Sequence, residues 1–88
     1  MEKYKVEFSN QAERVLVRIA QREPVLFRRL ENALDDLGRD PFQGKALVGH
    51  LKGRYSYRVG TYRIIYWVEK QKLLILVIDI GHRRDIYR

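Results

Sequence analysis

Polar and apolar residues alternate from Lys3 to Phe8, with Tyr4, Val6 and Phe8 on one side, which predicts a short strand. Ser9-Asn10 follows, and Glu13 stands three residues after Asn10, a capping-box arrangement that opens a helix. Ala12, Val15, Leu16, Ile19 and Ala20 then fall at helical spacing and form one apolar stripe. Glu23-Pro24 interrupts the pattern, and proline suits the first turn of a new helix. In that second helix Leu26, Leu30, Ala33, Leu34 and Leu37 make the stripe, and Gly38 is the expected stop. From Arg39 to Gly53 the pattern is loop-like, with Asp40-Pro41, Gly44, Gly49 and Gly53 as breakers and Leu47 and Leu51 as tethers.

Three strands are predicted next. Arg54 to Val59 alternates, Gly60-Thr61 is a two-residue turn of the glycine-first type, and Tyr62 to Glu69 alternates again. Lys70-Gln71 is a second tight turn. Leu73 to Ile80 is apolar except at Asp79, as expected of a central strand covered on both faces, and Gly81 ends it. The charged tail from His82 to Arg88 is expected to add a last helical turn. These elements define one α+β domain over residues 1–88. It has a short N-terminal strand, two antiparallel helices, then a three-strand antiparallel meander, with the helices packed on one face of the sheet.

The two-residue turn fixes a register. Val59 pairs with Tyr62, Arg58 with Arg63, Tyr57 with Ile64, Ser56 with Ile65, Tyr55 with Tyr66 and Arg54 with Trp67. Side chains alternate across a strand. Tyr55, Tyr57, Val59, Tyr62, Ile64, Tyr66 and Val68 therefore share the face under the helices, while Arg54, Ser56, Arg58, Arg63, Ile65 and Trp67 share the other. Arg58 directly opposite Arg63 is a like-charge pair that costs stability. Guanidinium forks match phosphate oxygens, so the pair can hold an anion. Alternatively the two splay into solvent or pair with Asp79 and Asp85. Trp67 on the same face can stack a base. Asp79 inside an apolar strand is either a satisfied buried carboxylate or, the favoured reading, a clamp for an arginine.

Charge sharpens this picture. The net +7 is uneven: residues 1–50 carry nine Lys/Arg against eight Asp/Glu, whereas residues 51–88 carry nine against three. A polyanion is the natural partner of the second half. No cysteine is present, so a disulfide framework and thiolate chemistry are excluded. His50 and His82 are too far apart for metal-ligand spacing. There is no phosphate-cradling glycine loop, no Ser/His/Asp motif and no apolar run long enough to span a bilayer. The first residues lack the apolar core of a signal peptide, and a cytoplasmic location without membrane contact is expected. Taken singly, His82 reads as a surface residue and Tyr87 as a packing residue.

Three segments together resemble the RelE/ParE superfamily of toxins from type II toxin–antitoxin modules: Leu51-Lys52-Gly53, Tyr57-Arg58-Val59-Gly60-Thr61-Tyr62-Arg63-Ile64-Ile65-Tyr66 and Gly81-His82-Arg83-Arg84-Asp85-Ile86-Tyr87. The order of elements matches over nearly the whole chain. The resemblance implies a RelE-like fold and, in the RelE-like branch, an endoribonuclease that cuts mRNA in the ribosomal A site without metal or cofactor. It implies catalytic roles for Arg58, Arg63, Arg83 and Tyr87, with the tyrosine assisting proton transfer. Lys52, Arg54, Trp67, His82 and Arg84 are then the expected RNA contacts, and His82 an alternative proton-transfer group. The implied partners are a cognate antitoxin protein and mRNA on the ribosome, with rRNA contacts. One departure stands out: Ser56 occupies a position where strongly active members carry a lysine, and Arg54 or Lys52 is the nearest compensation. The ParE-like branch shares the fold but inhibits DNA gyrase and is the alternative function.

Overall fold

A computed structural model describes residues 3–82 of the chain. The expected helical turn in the tail, and with it Arg83, Arg84 and Tyr87, lies outside the described residues. The elements run β1 (Lys5–Phe8), α1 (Asn10–Arg22), α2 (Pro24–Arg39), β2 (Lys45–Ala46), a single 3-10 turn (Gly49–Leu51), β3 (Arg54–Val59), β4 (Tyr62–Glu69) and β5 (Leu74–His82). They form a five-stranded sheet in the order β1-β5-β4-β3-β2. The meander β3-β4-β5 is antiparallel as expected. β1 adds to it parallel to β5, which makes the sheet mixed, and the two-residue β2 closes the far edge within the segment expected to be loop. So short an edge strand leaves little backbone exposed for unwanted pairing.

Local chemistry explains most boundaries. Ser9, one residue earlier than expected, caps α1: its Oγ accepts from the Ala12 N–H at 3.1 Å and itself donates to the Ile78 carbonyl at 2.6 Å. One hydroxyl thus starts the helix and ties it to β5. Pro24 opens α2. Gly38 does not end that helix, which continues through Arg39. Its role is close approach, because the Tyr4 N–H donates to its carbonyl at 2.8 Å and a Cβ there would lie 3.3 Å from the Tyr4 oxygen. The second tight turn is longer than Lys70-Gln71, extending to Leu73, whose φ of +51° lies in the left-handed region. β5 accordingly begins at Leu74 and runs past Gly81 to His82.

The core lies between the helices and one face of the sheet. Ala12 and Ile19 of α1 and Leu30, Ala33, Leu34 and Leu37 of α2 meet Val59, Ile64, Tyr66, Ile75, Val77 and Ile80, all buried. Ala20, expected in the stripe, is exposed instead. α1 packs over β5, and α2 beside it reaches β1 and β3. Full burial of a side chain such as Ile64 or Ile75 contributes about 1.5–3 kcal/mol. Tyr55, Tyr57 and Tyr62 border this core half-buried, whereas Tyr66 is fully enclosed and donates its hydroxyl to the Pro41 carbonyl at 2.7 Å. Burial pushes the Tyr66 phenol up to about 12. Gly44 makes room for that hydroxyl: a Cβ there would come within 2.3 Å of it. Among the described residues no helix is long and apolar enough to cross a membrane.

The apolar run of β5 is not covered equally on both faces. Ile75, Val77 and Ile80 are buried, while Leu74, Leu76 and Ile78 are only partly covered. The buried positions change phase between Val77 and Ile80 because the β4–β5 register shifts there: Ile65 opposes Asp79, but Tyr66 opposes Val77. Ile78 is the extra residue of a β-bulge.

Candidate nucleic-acid interface

The face of the sheet opposite the helices carries the predicted basic residues. The hairpin register is the one expected, from Arg54 opposite Trp67 to Val59 opposite Tyr62, with Arg58 directly across from Arg63. Gly60 takes φ of +62° at the first turn position, the conformation that a glycine-first turn demands. The two arginines relieve their repulsion by leaning apart. Exposed Arg58 donates through Nε to the Gly60 carbonyl at 3.3 Å, toward the turn. Half-buried Arg63 donates through Nη1 to Ser56 Oγ at 3.4 Å, away from it. Ser56 is only 3% exposed, so its hydroxyl serves as a support for Arg63 rather than as a surface contact.

A second group gathers at the other end of the hairpin, four residues and about 13 Å along the strands. Arg54 donates through Nη1 to the His50 carbonyl at 3.4 Å, which pins the 3-10 turn over the sheet. Lys52 is exposed just after that turn. Trp67 is 37% exposed and donates from Nε1 to Glu69 Oε1 at 2.6 Å. One side of its indole is already covered by backbone, since a Cβ on Gly53 would lie 2.6 Å from Trp67 Cζ3. Gly53, at φ of +95°, is thus a glycine for two reasons, conformation and close approach.

Between these groups the surface mixes apolar and polar residues. Ile65 is 4% exposed, and with Leu51, His50, Arg54, Ile78 and Asp79 it lines a shallow pocket of about 330 Å³. Asp79 is not the arginine clamp expected of it. Its Oδ1 accepts from Gln11 Nε2 at 3.3 Å, and among the described residues no lysine or arginine pairs with it. The bulge at Ile78 is what sequence reading missed. Without it Asp79 would oppose Ile64 in the core. With it Asp79 opposes Ile65 at the end of the sheet, where it lines both that shallow pocket and the cavity beside α1 that holds Arg18, Arg22 and His82. The one available signal was a carboxylate between two isoleucines in an otherwise unbroken apolar run.

His82 goes elsewhere. It opposes Tyr62, packs edge-on against that ring with centroids 5.9 Å apart, and lines a cavity of about 390 Å³ with Arg18, Arg22 and Glu23 near the end of α1. Alternation places it on the helix side, not with Arg58 and Arg63. Of the expected site, then, the structure brings Arg58 and Arg63 together at the turn and Lys52, Arg54 and Trp67 together at the far end.

Comparison with known proteins agrees with this architecture. Residues 6–87 match the family model described as ParE toxin of type II toxin-antitoxin system, parDE. Toxin RelG of Mycobacterium tuberculosis (strain ATCC 25618 / H37Rv) is 37% identical over 86 residues, covering 97% of each chain. A chain of the toxin–antitoxin complex RelBE2 from Mycobacterium tuberculosis superimposes with a TM-score of 0.78 at 32% identity, over 92% of this chain and 99% of that one. The YoeB/ParE toxin from Agrobacterium tumefaciens shares the fold, with a TM-score of 0.82 at 18% identity over 89% of this chain and 96% of its own.

Proposed function

This chain belongs to the ParE toxin family, within the RelE/ParE superfamily, as the toxin of a type II toxin–antitoxin module, and from that premise we propose that it is a ribosome-dependent mRNA endoribonuclease. The observation that carries the reading is Arg58 directly opposite Arg63 across a two-residue turn, on a face that also presents Arg54 and Trp67. Two guanidinium groups side by side on one face suit the oxygens of a phosphate. In the proposed step the RNA 2′-hydroxyl loses its proton, its oxygen bonds to the adjacent phosphorus, and the bond from phosphorus to the 5′-oxygen breaks. Negative charge grows on the phosphoryl oxygens, where Arg58 and Arg63 donate. Tyr87 carries the proton transfer, Arg83 adds a third cation, and Arg84 contacts the RNA backbone. The chemistry needs no metal or cofactor. Trp67 offers its uncovered ring face to a base, and Arg54 and Lys52 hold the backbone farther along. His82 is left out of this scheme, since it packs against Tyr62 and lines the cavity beside α1.

An antitoxin is the second proposed partner. Phe8, Leu16, Val17, Ala20 and Phe27 line an apolar groove between β1 and the helices, with Val17 51% exposed. An apolar antitoxin helix fits that groove, and acidic antitoxin residues fit the basic face.

Single-turnover cleavage on programmed ribosomes tests the enzyme. Arg63→Ala is expected to slow cleavage by roughly a hundredfold, the usual cost of one lost preorganised donor. Tyr87→Phe is expected to impair cleavage while leaving ribosome association intact. A protein that leaves mRNA uncut yet inhibits purified DNA gyrase would instead follow the ParE-like alternative.

A further inference from the structure

The cavity of about 390 Å³ beside α1 holds two cations that the fold does not neutralise. Arg18 and Arg22 stand one turn apart on α1 and both line it, a like-charge spacing that costs helix stability. Arg22, in the last turn, suits the negative end of the helix dipole, but Arg18 has no such reason. Glu23 and Asp79 line the same cavity, yet among the described residues neither arginine forms an ion pair with them. Opposite charges within reach do pair at the other end of the helices, where Asp35 bridges Lys3 and Arg39. Asp79 accepts from the Gln11 amide instead. The two guanidinium groups are thus left to the cavity, on the helix side of the sheet and apart from Arg58 and Arg63.

The rest of the lining defines what can enter. Val15, Ile19 and Ile80 give an apolar floor, and Tyr62, edge-on to His82 with centroids 5.9 Å apart, gives an aromatic wall. The volume suits a small ligand, since such sites span about 300–1,000 Å³. Two guanidinium groups based about 6 Å apart along a helix match the oxygens of one phosphate. An aromatic wall over an apolar floor suits a planar ring. Glu23 follows Arg22 directly, and Asp79 lies at the Gln11 end, about 16 Å from Arg22 along α1, so a carboxylate bounds the site at each end. A polynucleotide would bring further phosphates against those carboxylates, whereas a molecule with a single phosphate would not. We propose that this cavity is a binding site for a free nucleoside monophosphate, with Arg18 and Arg22 on the phosphate and Tyr62 against the base. The site is separate from the nuclease reading and does not depend on it.

The test is NMR of the isoleucine methyl groups in the purified protein, titrated with adenosine 5′-monophosphate, ribose 5-phosphate, adenosine and a short oligoadenylate. Adenosine monophosphate is expected to shift Ile19 and Ile80 saturably. It should bind roughly tenfold more tightly than ribose 5-phosphate, the contribution of one stacked base. Adenosine, which lacks the phosphate, should bind more weakly than its monophosphate by roughly tenfold or more, the loss of charged hydrogen bonds. Oligoadenylate is expected to leave Ile19 and Ile80 unshifted. Arg18→Ala combined with Arg22→Ala changes two exposed side chains and leaves the core intact, and it should abolish the shifts, whereas Arg63→Ala should preserve them. No saturable shift at Ile19 and Ile80, or a shift that survives the double substitution, overturns the site. So does equal affinity for adenosine or ribose 5-phosphate and the nucleotide, or an equal response to oligoadenylate.

Discussion

The two faces of the sheet are made by the same strands, often by adjacent residues, yet they are organised by different physics. On the helix side Ile64, Tyr66, Ile75 and Val77 have no exposed surface and belong to one apolar cluster. On the other side burial is confined to Ser56 and Ile65, and around them stand Arg58, Arg63, Arg54 and Trp67. The first face minimises free energy by excluding water. The second keeps two like charges opposite each other, and their side chains turn to Gly60 and Ser56 in opposite directions. Adjacent residues on one hairpin therefore divide between a dry core and a charged surface.

The largest expected effect lies on the helix side. Ile75→Ala should lower unfolding free energy by about 2–5 kcal/mol, through lost transfer energy and a cavity that neighbours cannot fill. Urea denaturation measures it, with Arg58→Ala as the matched control on the other face, expected within about 0.5 kcal/mol of the parent. Equal losses would mean that the basic face also holds the fold together.

A smaller effect belongs to Tyr66, which joins the core to the loop above it through Pro41. Its folded pKa, about 12, lies above the ordinary 10.0, because burial disfavours the phenolate. The neutral form is thus favoured by folding: this contribution is fully present below pH 10 and is lost as pH rises from 10 toward 12. Denaturation series across that interval should show the parent losing stability and Tyr66→Phe losing less. Parallel curves would show that the phenol is not sequestered.

The smallest effect is expected at Arg54. It holds the 3-10 turn by one hydrogen bond and sits at the rim of the basic face. Arg54→Ala should leave stability nearly unchanged and weaken association with ribosomes at low salt more than at high salt, lowering the logarithmic salt slope by about one. A loss that is independent of salt would assign Arg54 to loop architecture instead of phosphate binding.

What local patterning could specify, the sequence did specify. The helices, the β3–β4 hairpin and its register followed from 3.6- and 2-residue periods and from a glycine at the first turn position, all of which depend on neighbours within a few residues. The opposition of Arg58 and Arg63 followed with them. Three other features needed the assembled molecule. β1 and β5 are about seventy residues apart in sequence, and their parallel pairing leaves no local signature, since any apolar run can accept an edge partner. Gly38 looked like a helix stop and is instead a point of contact with Tyr4, a distinction set by a strand far away in the chain. The side to which Asp79 and His82 point was undecidable from alternation alone. In a run as apolar as Leu74 to Ile80 both faces read alike, so a one-residue bulge reverses the sides without any change of pattern. That bulge is stabilised by a hydroxyl at Ser9, beyond the end of β1, which is why only tertiary structure could place those two side chains.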